Sequence, residues 1–347
     1  MKKIIIAVLA VAAMVACSKE QTVVAPKGDA IGFSTFVDNA TRANDLTKGN
    51  FDFSVYGLVE KGTDRALIFN NQYVNKDGSY TPPQYWIGNA QYYFAAFAPA
   101  TDRTWEYKTT TAHTGTLSFN NETAVANQDL LYAFVMPAAT AEKITAQPEA
   151  VKLTFDHMLS RVMFTFANDF ANNSNIKLEV YDVTITDAIS SADLAIEDGV
   201  PADAWSNFSG TFARNFGKVG GNTLAQLVDA GVQGGTVSAS TEHFYLIPDT
   251  RAYNVTFEVN LYQAGVKLDT YSRTATIPAT TEMKSGMSYN IKTTLTDKNT
   301  SDDGELYPIV FEVESIVDWD KDHDGKENTE AGDTDGDTQV DTNLPLN

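Results

Sequence analysis

Apolar and polar residues alternate with a period of two along most of the chain after position 30. The alternation is clearest in five runs, at 31–37, 51–55, 162–166, 253–261 and 289–295. A two-residue period is typical of β-strands that bury one face, because successive side chains point to opposite sides of a sheet. Gly, Asn and Asp residues separate the runs, as expected for turns. The pattern predicts an all-β fold made of antiparallel β-sandwiches.

Two breaks in this pattern divide the body of the chain into units. A stretch of small residues and prolines ends before a new block of strand signal, so we place a domain boundary between 155 and 156. A polar stretch at 297–304 closes the second unit. We therefore expect one sandwich over 43–155 and a second over 156–304. A single run with helical spacing, 223–230, predicts one short helix.

The longest strict alternation lies near the end of the chain, in the C-terminal segment 305–319. Its apolar face carries Ile309, Phe311, Val313, Val317 and Trp319. One strand alone leaves its backbone N–H and C=O groups unpaired and its apolar face exposed. The segment must therefore pair either with its own body, as a last strand of the second sandwich, or with another molecule.

The N-terminus has the features of an export signal. A basic start at Met1–Lys3 precedes an apolar run at 4–15, which is too short to span a bilayer because a spanning helix needs about 20 residues. Residues 1–16 are therefore predicted to be a signal peptide. Cys17 follows small residues and resembles the lipobox of bacterial lipoproteins, in which the cysteine sulfur is acylated. An ordinary signal peptide with an incidental cysteine is the alternative.

Composition and charge exclude several classes of function. Lys and Arg number 25 against 45 Asp and Glu, which gives a net charge of −20. This charge argues against binding to nucleic acid or to anionic membrane surfaces. The chain contains none of the common hydrolase, zinc-protease, phosphate-loop or dinucleotide-binding motifs. The histidines at 113, 157 and 243 are isolated from plausible nucleophiles in the sequence, so we expect no enzymatic activity.

An acidic tail, 320–347, follows the C-terminal segment. Two sets of alternating carboxylates resemble calcium-binding loops, since calcium takes six to eight oxygen ligands. These candidate ligands are Asp320, Asp322, Asp324, Asp333, Asp335 and Asp337. The position that supplies the bidentate glutamate of an EF-hand is occupied by Ala331. Calcium is therefore the one cofactor that the sequence suggests. A solvated acidic tail without metal is the alternative.

An arginine lies in a polar stretch directly after the first strand. Arg42 and Ala43 follow the run 31–37 across a short polar link. Exposed polar loops are preferred sites of proteolytic cutting, so a trypsin-like protease would cut after Arg42. Any other exposed arginine would qualify equally, so Arg42 by itself is weak evidence for a processing site.

Five blocks, taken in order, resemble the fimbrillin family, the subunits of type V pili of Gram-negative gut and oral bacteria. They are the lipobox at Cys17, the strand 31–36 followed by Thr41-Arg42-Ala43, the block Leu153–Val162, the block Phe244–Pro248 and the block Lys284–Ile291. Together they extend over most of the chain up to Trp319.

The resemblance implies a fold and a route of assembly. The expected fold is a tandem pair of transthyretin-like antiparallel β-sandwiches followed by a C-terminal appendage strand. The expected precursor is a lipoprotein held in outer-membrane lipid through Cys17. A cut between Arg42 and Ala43 would release 17–42, which contains a tether and a removable strand with Ile31, Phe33, Thr35 and Val37 on its inner face. A donor strand from another subunit, with Ile309, Phe311, Val313, Val317 and Trp319, would then fill the groove.

Assembly of this kind joins pilus subunits head-to-tail into a cell-surface fimbria that mediates adhesion, with a surface ligand that the sequence does not identify. The acidic tail behind the donor strand also fits an uncleaved anchor or a tip or accessory adhesin of the same pilus. A surface glycan-binding lipoprotein is a further alternative, with Tyr85-Trp86 and Tyr92-Tyr93 as the aromatic pairs on which sugars would stack. We expect those rings mainly in the core.

Overall fold

Every regular element in the part of the chain that the structure describes is a β-strand. The computed structural model describes residues 30–37, 51–101, 103–124, 128–141, 149–170, 175–221, 223–228, 232, 234–279, 281–301 and 307–318. The strands, in chain order, are β1 (Phe33–Val37), β2 (Phe53–Lys61), β3 (Asp64–Val74), β4 (Gln91–Ala98), β5 (Trp105–Thr109), β6 (Gly115–Asn120), β7 (Leu131–Val135), β8 (Val151–His157), β9 (Ser160–Asn168), β10 (Ile176–Glu197), β11 (Val200–Pro201), β12 (Ser206–Gly217), β13 (Leu227–Val228), β14 (Ser238–Ser240), β15 (Phe244–Leu246), β16 (Tyr253–Gln263), β17 (Val266–Ile277), β18 (Met287–Leu295) and β19 (Glu312–Asp318).

The first sheet has six strands in the order β1-β8-β7-β4-β2-β3. The β1–β8 pair is parallel, and the other neighbouring strands pair antiparallel. Near one edge the two-residue period survives, because in β8 Leu153 and Phe155 are buried while Lys152 and Asp156 are exposed. In the central β2 and β4 nearly every side chain is buried, since both faces of the sheet are covered.

The strand β10 joins the two halves of the molecule. It is 22 residues long and pairs with β16, β12 and β13 along most of its length, while Ser191–Ile196 near its end pair with β6. The resulting eight-stranded sheet has the main order β17-β16-β10-β6-β5. A third sheet of five strands runs β14-β9-β18-β19, with β15 also on β9. The boundary between 155 and 156 stays a prediction, and the eight-stranded sheet takes strands from both sides of it.

Buried apolar side chains form three clusters around these sheets. One cluster lies between the six-stranded sheet and the β5, β6 and β10 part of the eight-stranded sheet. A second lies between the five-stranded and eight-stranded sheets. The third covers the remaining face of the six-stranded sheet. The prediction of an all-β sandwich fold is therefore confirmed, and the transthyretin-like tandem arrangement stays a prediction.

The short helix expected at 223–230 is wrong for the residues that are described there. Leu227 and Val228 form β13 and pair with Leu178 and Lys177 of β10. Both side chains are buried. The edge of β10 offers these two residues both hydrogen-bond partners and an apolar surface, whereas an isolated helix of this length is only marginally stable.

The two-residue link between β8 and β9 is hydrogen-bonded from several directions. The Met158 N–H donates to the Leu130 carbonyl at 2.9 Å. The Met158 carbonyl accepts from Trp205 Nε1 at 3.1 Å and from Ser285 Oγ at 2.9 Å. The block Leu153–Val162, found by its resemblance in the sequence, thus forms the joint between the six-stranded and five-stranded sheets.

The turn between β10 and β11 packs against the six-stranded sheet through a glycine. Gly199 has φ of +81°, and a Cβ at this position would overlap the ring of Phe134. We expect Gly199→Ala to lower the free energy of unfolding by about 2–5 kcal/mol, from the left-handed backbone and the clash together. Gly265→Ala is the matched control, because Gly265 has φ of +80° and nothing within 4 Å of its Cβ. Chemical denaturation measures both losses, and equal losses would contradict the packing role of Gly199.

Candidate functional site

The strand β1 lies at an edge of the six-stranded sheet and has β8 as its single strand neighbour there. The pairing runs in register from Phe33 opposite Val151 to Val37 opposite Phe155. The Val151 N–H also donates to the Gly32 carbonyl at 2.7 Å. Because β1 is an edge strand and the first strand in the described part of the chain, its departure would break one strand pair and leave the order of the other strands unchanged.

The side chain of Phe33 fills a cage of aromatic rings, which we call the Phe33 cage. The ring centres of its four members stand 5.5–6.0 Å away, and the members are Phe53, Phe69, Tyr80 and Phe94. Three of these contacts are edge-to-face, the geometry that aromatic pairs favour. Phe33 is 6% exposed. The cage therefore packs the first residue of β1 against strands β2, β3 and β4.

The turn after β3 closes over the start of β1. Tyr80 donates its hydroxyl hydrogen to the Ile31 carbonyl at 2.7 Å, and the Ile31 N–H donates to the Gln84 carbonyl at 2.8 Å. Burial raises the pKa of Tyr80, so the hydroxyl keeps the hydrogen that it donates. Gly78 has φ of +82°, and a Cβ there would lie 2.6 Å from the Phe33 carbonyl oxygen. The sequence gives no sign that this turn contacts the first strand.

Of the two remaining residues of the removable strand, Thr35 and Val37, the structure describes the side chain of Thr35 alone. Thr35 is half-buried, and the side chain of Val37 lies outside the described residues. Phe36 is on the outer face, where Lys152 Nζ stands 4.6 Å from its ring centre. Arg42 and Ala43 fall in 38–50, also outside the described residues, between β1 and β2. A cut after Arg42 would therefore separate β1 from every later strand.

The C-terminal segment pairs with the protein's own body in the single chain. Its strand β19 lies at the edge of the five-stranded sheet and pairs antiparallel with β18. Ile309 and Phe311 are 7% and 2% exposed. Phe311 lies in a second ring cage, the Phe311 cage, with ring-centre distances of 5.4–6.2 Å to Phe164, Phe166 and Phe257. Of the two alternatives that the sequence pattern left open, the isolated chain adopts the first.

Among the other donor-strand residues, the structure describes the side chain of Val313 alone. Val313 is half-buried, and Trp319 and the side chain of Val317 lie outside the described residues. Val310 lies on the opposite face and is 63% exposed, and Ile316, which faces Tyr289 beyond a shift in register, is 49% exposed. The register shifts between Asn290, which faces Ser315, and Ile291, which faces Val313, so Glu314 is a bulged residue without a partner in β18.

The other predicted sites have the following positions. Cys17 and the six candidate calcium ligands, Asp320, Asp322, Asp324, Asp333, Asp335 and Asp337, lie outside the described residues. Within the described ranges, no group of three or more His, Cys, Asp or Glu residues could hold a metal ion. The same part of the chain has no helix with the length and apolar character that crossing a bilayer requires.

The aromatic pairs that a glycan site would need serve mainly as packing. Trp86 and Tyr92 are 9% and 0% exposed, and their rings contact each other at 4.7 Å. Tyr93 is half-buried and stacks on His113 at 4.6 Å. His157 is buried and makes a short hydrogen bond to Asp129. Of the two predicted pairs, Trp86 and Tyr92 are therefore core residues, and Tyr85 and Tyr93 are half-buried, so the pairs present little ring surface to a sugar.

Comparison with known proteins connects this architecture to one family. The family model described as fimbrillin-like matches residues 41–308. The fold is similar to that of a fimbrial protein of Bacteroides vulgatus, with a TM-score of 0.58 and 15% identity over 84% of this chain and 99% of that chain. That likeness shows a shared fold.

Candidate cell-adhesion proteins of Bacteroides ovatus and Parabacteroides distasonis are also similar. Their TM-scores are 0.44 and 0.46 and their identities 12% and 9%, over 84% of this chain and 98% and 97% of theirs. No functionally curated protein matches the chain in sequence.

Proposed function

The chain belongs to the fimbrillin-like family, and from this premise we propose that it is a structural subunit of a cell-surface fimbria that mediates adhesion. The subunit is exported as a lipoprotein and anchored in the outer membrane through Cys17. A protease cuts after Arg42 and releases β1. Donor-strand exchange follows, in which the C-terminal segment of a second subunit occupies the place that β1 left.

The observation that carries this proposal is the edge strand whose phenylalanine fills the Phe33 cage. Removal of β1 would leave Val151–Phe155 of β8 without a backbone partner on one side and the cage without its central ring. An unpaired edge beside an apolar slot invites pairing with an extended segment from another chain. The cut therefore turns a closed monomer into an acceptor.

The acceptor and donor surfaces belong to different sheets. The acceptor is the β8 edge of the six-stranded sheet, and the donor is the segment that includes β19 at the edge of the five-stranded sheet. Contacts between two different surfaces are head-to-tail, and they propagate into an open filament unless the rotation closes a ring. A fimbria requires such a contact.

Limited proteolysis of the purified precursor tests the proposal. A trypsin-like protease is expected to yield a chain that begins at Ala43 and a ladder of SDS-resistant oligomers. Arg42→Gln should abolish both products, whereas Arg65→Gln, at an exposed arginine in β3, should leave them unchanged. Trimmed protein that begins at Ala43 and stays monomeric would contradict the proposal.

An uncleaved anchor of the same fimbria is the second candidate. The observation in its favour is that the C-terminal segment already fills the edge of its own sheet, beside an acidic tail that follows it. N-terminal analysis of protein from sheared fimbriae distinguishes the two roles. Chains that begin at Ala43 indicate the cleaved subunit, and chains that keep an acylated Cys17 indicate the anchor.

A further inference from the structure

The first part of the C-terminal segment, Ile309–Phe311, is held between two sheets. Val310 forms a parallel bridge with Thr276 of β17, and its carbonyl accepts a hydrogen bond from Thr293 Oγ1 of β18 at 2.8 Å. On either side of it, Ile309 and Phe311 are buried in the cluster between the five-stranded and eight-stranded sheets. These three residues therefore close their own sandwich and bind the segment to its own body.

The second part of the segment, Glu312–Asp318, is held on one side only. It is an edge strand with β18 as its strand neighbour, and the bulge at Glu314 interrupts its ladder. Beyond the bulge only Ser315–Asp318 remain paired, and Ile316 in this stretch is half exposed. Edge strands with interrupted pairing open at much lower free energy than buried core segments.

Transfer of Phe311 to a neighbour would bring no net gain in packing. Phe311 would leave three phenylalanine rings to enter the Phe33 cage, so filling one cage would empty another of similar character. Of the later residues, Val313 is half-buried at the margin of the same cluster and Ile316 is 49% exposed, so neither leaves a comparable cavity behind. The free energy of exchange is therefore more favourable when Ile309 and Phe311 stay in place.

We propose that strand exchange moves only the part of the C-terminal segment beyond Phe311, which pivots at Glu312, while Ile309–Phe311 remain in their own core. This inference rests on the proposed function and specifies how the donor is released. The released stretch 313–319 has seven residues, as many as 31–37, so its extended length matches the place that the removed strand leaves. Ile309 and Phe311 are then anchor residues, and Val313, Val317 and Trp319 are the donated side chains.

Two engineered disulfides in the full chain test this division of the segment. Cys17 is the only cysteine, so Cys17→Ser gives a cysteine-free background. The proximal lock, Thr276→Cys with Val310→Cys, ties the anchor to β17, and the distal lock, Met287→Cys with Asp318→Cys, ties the end of β19 to β18. Neighbouring strands bring paired Cα atoms within the range that a disulfide spans.

After cleavage by a trypsin-like protease, oxidised protein with the proximal lock is expected to form the same oligomer ladder as the cysteine-free chain. Oxidised protein with the distal lock should form none, and a reducing agent should restore its ladder. Reduced samples of each variant are the controls for folding, and mass spectrometry confirms that each disulfide has formed.

The remaining outcomes separate this inference from the proposed function. A ladder lost with the proximal lock and restored by reduction means that Phe311 itself is transferred, which overturns the pivot and leaves the proposed function standing. Ladders from both oxidised variants mean that β19 is not the donor, which overturns the inference while cleavage-driven assembly survives. No ladder from the cleaved cysteine-free chain overturns both.

Discussion

Replacement of Phe33 by alanine is expected to destabilise the uncleaved subunit by about 3–5 kcal/mol, the usual loss when a buried phenylalanine is truncated. The reason is that four aromatic rings surround Phe33, so its truncation leaves an apolar cavity among them. The effect should be largest at the β1 edge. Chemical denaturation gives the total loss, and hydrogen exchange at the Val151 amide, which donates to Gly32, reports the opening of β1.

Phe36→Ala is the matched control for this variant. Phe36 belongs to the same strand but lies on the outer face, where it contacts the Lys152 ammonium group at 4.6 Å. A cation–π contact at a partly exposed position contributes about 0.5–1 kcal/mol, so its loss should be several times smaller. Equal effects of the two substitutions would show that the Phe33 cage does not hold the strand.

Replacement of Phe311 by alanine is expected to cost a similar amount, about 3–5 kcal/mol, and to do so in the monomer before any cleavage. Phe311 is 2% exposed and contacts rings from β9 and β16, so its loss opens the core between the five-stranded and eight-stranded sheets. Thermal and chemical denaturation of the uncleaved precursor measure this loss.

Ile316→Ala is the control, because Ile316 lies in the same segment but is 49% exposed, so its substitution should change monomer stability little. If Phe311→Ala left the stability of the monomer unchanged but abolished assembly, Phe311 would be a donated residue and not an anchor. The two substitutions thus distinguish a structural from an intermolecular role within one segment.

The sequence predicted the strands well where one face of a sheet meets solvent or a single core. The runs at 253–261 and 289–295 lie within β16 and β18, and the run at 31–37 contains β1. Prediction failed at Leu227 and Val228, where helical spacing over a few residues competed with an open strand edge of β10. Short segments are decided by the partner that tertiary structure places beside them.

The candidate site was visible in the sequence only in part. The strand with Phe33 and the segment with Phe311 were both recognisable as apolar alternations near the two ends of the body. Nothing in the sequence indicated that Phe33 would meet rings from β2, β3 and β4, or that the turn at Gly78 would close over it. Those contacts join residues far apart in the chain, and local patterns carry no information about such distances.

What the sequence by itself determined is the all-β character, the two strand-forming end segments and the membership of a family, because these depend on side-chain period and on blocks of neighbouring residues. What only the tertiary structure decided is the division of the C-terminal segment, in which Ile309 and Phe311 belong to a buried core while β19 remains at an edge. Alternation shows that a face is apolar. Which surface covers that face depends on the packing of sheets, and packing is a property of the whole chain.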